Sequence, residues 1–95
     1  MAKSILQTEK GCYVTGSTQN LHLHHIYAGS RRQISDRNGF VVWLTGYYHN
    51  QSDYGVHGKH GHDLDLALKR ACQKKYEETH SREEFMELIG KNYLD

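Results

Sequence analysis

Apolar residues fall along this chain in short runs separated by polar and glycine-containing stretches, and their spacing changes character once. In the first half the spacing is that of strands. Leu21, Leu23 and His25 alternate with His22 and His24 and lead into Ile26-Tyr27, a period of two that predicts a strand. Phe40-Val41-Val42-Trp43-Leu44 is rich in β-branched and aromatic residues and predicts a second, ended by Thr45-Gly46. Cys12-Tyr13-Val14-Thr15 is a shorter β-prone piece, closed by the turn-forming residues 16–20. From Asp63 the pattern becomes helical. Asp63 offers a cap, and Leu64, Ala67, Leu68, Ala71 and Cys72 make an apolar face at i, i+3, i+4 spacing. Ser81-Arg82-Glu83-Glu84 is a capping-box pattern; Phe85, Met86, Leu88 and Ile89 follow, and Gly90 stands where a helix would stop. Between these elements, residues 1–11 read as a loose arm and residues 30–39 (SRRQISDRNG) as a polar, basic loop. Residues 47–62, broken by three glycines, read as a short helix followed by a loop.

The 95 residues (11.0 kDa) make one small domain, divided into the arm (1–11), a core region (12–62) and C-terminal helices (63–95). With 37% hydrophobic residues the core is thin, and chains this short gain from a metal, a disulfide or a partner chain. Cys12 and Cys72 form neither a disulfide framework nor a CxxC pair, so the expectation is a reduced, cytoplasmic protein. No apolar stretch is long enough to cross a bilayer, and the start (MAKSILQTEK) has no signal-peptide core. Charge is uneven. Residues 1–62 carry six basic and three acidic side chains, and residues 63–95 six basic and eight acidic. Seven of the eight histidines lie in the basic part, which points that region toward a polyanion or a metal.

The chemistry centres on His24-His25 at the end of the first expected strand. Adjacent strand residues point to opposite faces, so one imidazole can bind a metal while its neighbour faces a substrate water. The order matters more than the pair alone. A strand ending in His-His, then a basic loop, a second strand, and a histidine five residues past that strand follow one another. In this order the chain resembles the HNH (ββα-metal) endonuclease superfamily, and most closely its small phage-type members. The matching stretches are Leu21-His22-Leu23-His24-His25-Ile26-Tyr27-Ala28-Gly29-Ser30-Arg31-Arg32, and Gly39 to Leu44 followed by His49 and Gly55-Val56-His57. Together they cover about residues 12–80.

The resemblance implies an α+β fold: a ββα-metal module, a short antiparallel β-hairpin plus helix, followed by C-terminal helices. It implies metal-dependent hydrolysis of phosphodiesters in DNA, as an endonuclease or nickase. Carried over, His24 is a metal ligand and His25 the general base, and His49 and His57 match the later ligand positions. Arg31, Arg32 and Arg37 are then phosphate contacts, since guanidinium forks pair with phosphate oxygens. Neutral imidazoles suit zinc, manganese or nickel better than magnesium, which prefers oxygen ligands.

The sequence also departs from the family pattern. Thr15 stands where a CxxC would place its second thiol, so no structural zinc is expected. Asn38 is the nearest counterpart of the Asn that names the motif, and it is equally a turn residue. His49 and His57 are eight apart, wider than the family's i, i+4 helical spacing. That points either to a loop insertion or to Asn50 or Asp53 as the ligand, and His57 shares its loop with His60 and His62. The alternative function is a catalytically inactive HNH-like module that binds metal, nucleic acid or protein. A homodimer or a larger assembly is compatible with either.

Overall fold

Both expected strands form and pair. In the computed structural model, which describes residues 3–94, β1 (Leu21–His25) and β2 (Val41–Thr45) run antiparallel as a two-stranded sheet. His24 lies opposite Val42 and His25 opposite Val41. The alternation puts His22, His24, Val42 and Leu44 on one face, and Leu23, His25 and Trp43 on the other. The expected hairpin is wider than a turn: residues 26–40 connect the strands. The stretch 30–39, read as a loop, is mostly helix. A 3₁₀ turn (Gly29–Arg31) enters α1 (Arg32–Asn38), and Gly39 ends it at φ 76°. Ser35 is the buried anchor of this helix. Its hydroxyl donates to the Tyr27 carbonyl at 2.7 Å and accepts from the Tyr27 N–H at 3.2 Å.

Two strands cannot hide a core by themselves, so the helices supply the rest. After β2 come α2 (Gly46–His49), α3 (His62–Tyr76) and α4 (Arg82–Ile89). Leu68 and Cys72 of α3, and Phe85 and Ile89 of α4, join Ile26, Tyr27, Phe40, Val42 and Leu44 in one buried cluster. At its centre Tyr27 meets Phe40 and Phe85 edge-on, each at 5.6 Å between ring centroids. Each buried side chain of this size contributes about 1.5–3 kcal/mol of transfer free energy. Of the apolar face expected on α3, Leu68 and Cys72 are buried, Leu64 packs against the core, and Ala67 is exposed. The helix starts at His62 with Gly61 before it, so Asp63 lies in the first turn and makes no side-chain cap. There its charge favours the positive end of the helix dipole. The capping box is present in full: Ser81 Oγ accepts from Glu84 N–H at 3.1 Å, and Glu84 returns the bond to Ser81 N–H at 3.0 Å. Gly90 closes α4 in the left-handed conformation, at φ 82°.

Residues 3–11, read as a loose arm, lie along the free edge of β2; Met1 and Ala2 fall outside the described residues. Ile5 N–H donates to the Gly39 carbonyl at 3.0 Å, and Gln7 Oε1 accepts from Trp43 N–H at 2.8 Å. Ile5 and Leu6 also pack against the core, which thickens it where two strands leave it open. The β-prone piece Cys12–Thr15 forms a turn instead of a strand. Gly16 N–H closes on the Cys12 carbonyl, and the one backbone bond to β2 runs from the Tyr13 N–H to the Trp43 carbonyl. Cys12 and Cys72 are both buried and unpaired. Among the described residues no helix is long and apolar enough to cross a membrane.

Candidate metal centre and the hollow behind it

Three histidines from three elements converge. His24 comes from β1, His49 from the end of α2, and His57 from the loop that follows. One ligand nitrogen from each lies within 4.8 Å of the other two. Ring centroids are 5.4 Å apart for His24–His49, 5.4 Å for His24–His57 and 4.8 Å for His49–His57. These are the three residues that the resemblance implies as ligands, and the eight-residue spacing has a physical explanation. The chain doubles back after α2, so Val56 N–H donates to the Tyr48 carbonyl at 2.9 Å and His57 N–H to the His49 carbonyl at 3.1 Å. Glycine permits this return: a Cβ on Gly55 would sit 2.7 Å from the His49 carbonyl oxygen, and one on Gly61 would collide with the Gly55 carbonyl.

Asn50 and Asp53, the alternative ligands, are both exposed, and Asp53 does not join the cluster. Asp53 lies 3.9 Å from Lys59. His60 stacks on Tyr54 at 5.3 Å, and His60 and His62 do not join the three either. Asn38 holds the last turn of α1, donating to the Ile34 carbonyl at 2.8 Å, and is a helix-end residue.

The donor set fits a divalent cation. His24 is 3% exposed, and its Nε2 is the one buried side-chain nitrogen or oxygen among the described residues without a hydrogen-bond partner. An unpaired buried nitrogen is costly unless something binds it. Burial, reinforced by the neighbouring His49 and His57, pushes the His24 pKa down to about 3. Burial, with His57 and His22 beside it, also lowers that of His49. Both imidazoles are therefore held neutral, the form that ligates metals.

This has a consequence for stability. An unfolded imidazole titrates near 6.5, so below that pH the unfolded chain takes up a proton that folded His24 refuses. The stabilisation from neutral His24 is complete above pH 6.5 and is lost progressively as pH falls toward about 3. Urea midpoints of the metal-free protein, followed from about pH 7 to about pH 4, are expected to drop, and less steeply in His24→Asn. Equal pH dependence in the two proteins would contradict a buried neutral His24.

His25 lies elsewhere. It points to the opposite face of β1, where Nε2 lies 3.1 Å from Asp36 Oδ1 of α1. The pair lines a cavity of about 550 Å³ together with Leu23, Arg32, Gln33 and Arg37, and none of the three clustered histidines lines it. Arg32 and Arg37 are exposed at this hollow. Arg31 is not among its lining residues: its Nε donates to the Ile89 carbonyl at 3.0 Å and so caps the end of α4. Two participants were not read from the sequence. Asp36 was hidden in a stretch taken for a loop, although the four-residue step from Arg32 carries the helical signal. His22 enters the sequence reading only as a strand residue; its Nδ1 lies 3.0 Å from His49 Nδ1. Its position two residues before His24 on a strand was the available signal.

Comparison with known proteins gives no match among family models, curated proteins or solved structures.

Proposed function

We propose that this chain is a metal-dependent nuclease of the HNH (ββα-metal) type that hydrolyses phosphodiester bonds in DNA. The observation that carries the reading is the convergence of His24, His49 and His57 around an unpartnered buried nitrogen. In this reading β1, β2 and α2 with its doubled-back loop make the ββα-metal module, and the three imidazoles hold the ion. Three imidazole nitrogen donors favour zinc, manganese or nickel over magnesium. When bound, the ion supplies positive charge to offset the charge developing on the leaving 3′-oxygen.

The chain's own residues do the rest. Asp36 engages His25 Nε2, which leaves Nδ1 free to take the proton of the attacking water. The carboxylate of Asp36 then steadies the imidazolium. Arg32 and Arg37 hold the phosphate backbone on the same side. This reading puts the scissile phosphate at the C-terminal end of β1, where the neighbours His24 and His25 face opposite ways.

Supercoiled plasmid incubated with zinc, manganese, nickel or magnesium tests this reading. Relaxation with at least one ion, abolished by a chelator, is the expected result. One observation favours a second reading, a metal-binding module without catalysis: the His25 hollow contains none of the metal-binding histidines. Tight metal and DNA binding without cleavage under all four ions would decide for that module.

The arginines divide into two roles with separable readouts. Arg32→Ala with Arg37→Ala is expected to weaken duplex binding across unrelated sequences. The log–log salt slope should become shallower by about 1.8, roughly 0.9 per lost phosphate contact. Arg31→Ala is expected to leave that slope alone and to lower stability by about 1.5–3 kcal/mol, through loss of a charged hydrogen bond to the end of α4. A slope change in Arg31→Ala and none in the double variant would reverse the assignment.

A further inference from the structure

We propose that His22 is a positioning residue for the metal centre, fixing the tautomer of His49 so that His49 presents Nε2 to the ion. The inference rests on the metal-binding part of the reading above. His22 and His24 share one face of β1, yet His22 is not among the three clustered ligands. Its ring meets that of His49 edge-on, at 85° between planes and 5.1 Å between centroids. The two Nδ1 atoms stand 3.0 Å apart, and at that distance two lone pairs repel, so one nitrogen carries a proton.

The choice of which nitrogen decides whether the centre works. With the proton on His22, His49 Nδ1 is the acceptor and the proton of neutral His49 sits on Nε2. Neither nitrogen of His49 can then ligate. With the proton on His49, Nδ1–H donates to His22 and the Nε2 lone pair is open. Metal-binding histidines generally have their second N–H tied to an acceptor in this way, and removing the acceptor weakens metal binding. Among the described residues, His22 is the only hydrogen-bond partner of the His49 ring. An imidazole acceptor in this role differs from the more common carboxylate: it adds no negative charge beside the ion. The full cationic charge of the centre is kept for an anionic substrate such as a phosphodiester.

Zinc titrated calorimetrically into the full chain tests the proposal without reference to cleavage. His22→Ala is expected to bind zinc about 10–100-fold more weakly than the wild type. His22→Asn is expected to recover most of the loss, because its Oδ1 sits where Nδ1 of histidine sits and accepts the same bond. His22→Gln, whose oxygen falls at the Nε2 position, is not. Thermal melts of the metal-free variants check the fold, and if the Ala variant fails to fold, the Asn/Gln pair decides. Histidine-ring ¹⁵N NMR of the zinc-loaded protein is expected to show His49 metallated at Nε2 and protonated at Nδ1. Three results would overturn the proposal: wild-type affinity in a folded His22→Ala, zinc on His49 Nδ1, or equal losses in Asn and Gln, which would make His22 itself a ligand. A wild type that binds no zinc would remove it together with the metal centre. The nuclease reading fails separately, by absence of cleavage with zinc binding intact.

Discussion

His25→Ala is expected to cleave plasmid DNA about 10²–10⁴-fold more slowly than the wild type, the usual cost of losing a positioned general base. Zinc affinity is expected to be unchanged. The split follows from the placement of the side chain. His25 faces Asp36 and the arginine-lined hollow, with Nε2 held at 3.1 Å, while His24 of the histidine cluster points to the other face of the strand. Its side chain is 13% exposed and belongs to the wall of a cavity, so truncation widens the hollow without removing a core contact. Cleavage by the variant at the wild-type rate would end the assignment of His25 as base. Loss of zinc binding together with cleavage would place it in the metal centre instead.

The second large effect concerns the ligands. Calorimetry is expected to find one divalent site in the wild type and none in His24→Ala or His49→Ala. His24 contributes most directly, because its Nε2 has no hydrogen-bond partner among the described residues. Saturation also feeds back on the fold. Metal at 100 times its dissociation constant adds about 2.7 kcal/mol to stability. For a chain whose sheet has only two strands, this should appear as a clear rise in melting temperature, reversed by chelator and absent in both variants. Undiminished binding in His24→Ala and His49→Ala would show that the ion sits elsewhere, with the exposed His60 and His62 as the next candidates.

The parts of this fold that were legible in the sequence share one physical feature: the information is local. Period-two alternation around His24 and the β-branched run at Val41-Val42 mark strands because side-chain direction follows directly from strand geometry. The capping box at Ser81–Glu84 and the glycine at 90 are complete within one turn of helix. What escaped was non-local. Helix α1 reads as a loop because its stretch is polar and basic. Only Ser35 is fully buried there, and a serine carries no hydrophobic signal. Residues 3–11 look loose because their fixing bonds go to Gly39 and Trp43, far along the chain.

The site shows the same division. His24 and His25 stand out in the sequence through the order of strand, His-His, basic stretch and second strand, and their roles come from the resemblance. His57 was found from an implied pattern, but its reach to His49 depends on a loop return that spacing alone cannot show. Arg31 and Arg32 look alike in sequence. Only the packing of α4 against the 3₁₀ turn separates a helix cap from an exposed side chain at the hollow.

The claim on which the functional account depends is that His24, His49 and His57 hold one divalent ion. Anomalous diffraction from crystals of the zinc-loaded protein, collected on both sides of the zinc absorption edge, tests it most directly. A single strong anomalous peak is expected among the three rings, about 2.0–2.1 Å from one nitrogen of each. A zinc peak at His60 and His62 with none among the three, or none anywhere in zinc-saturated crystals, would contradict it.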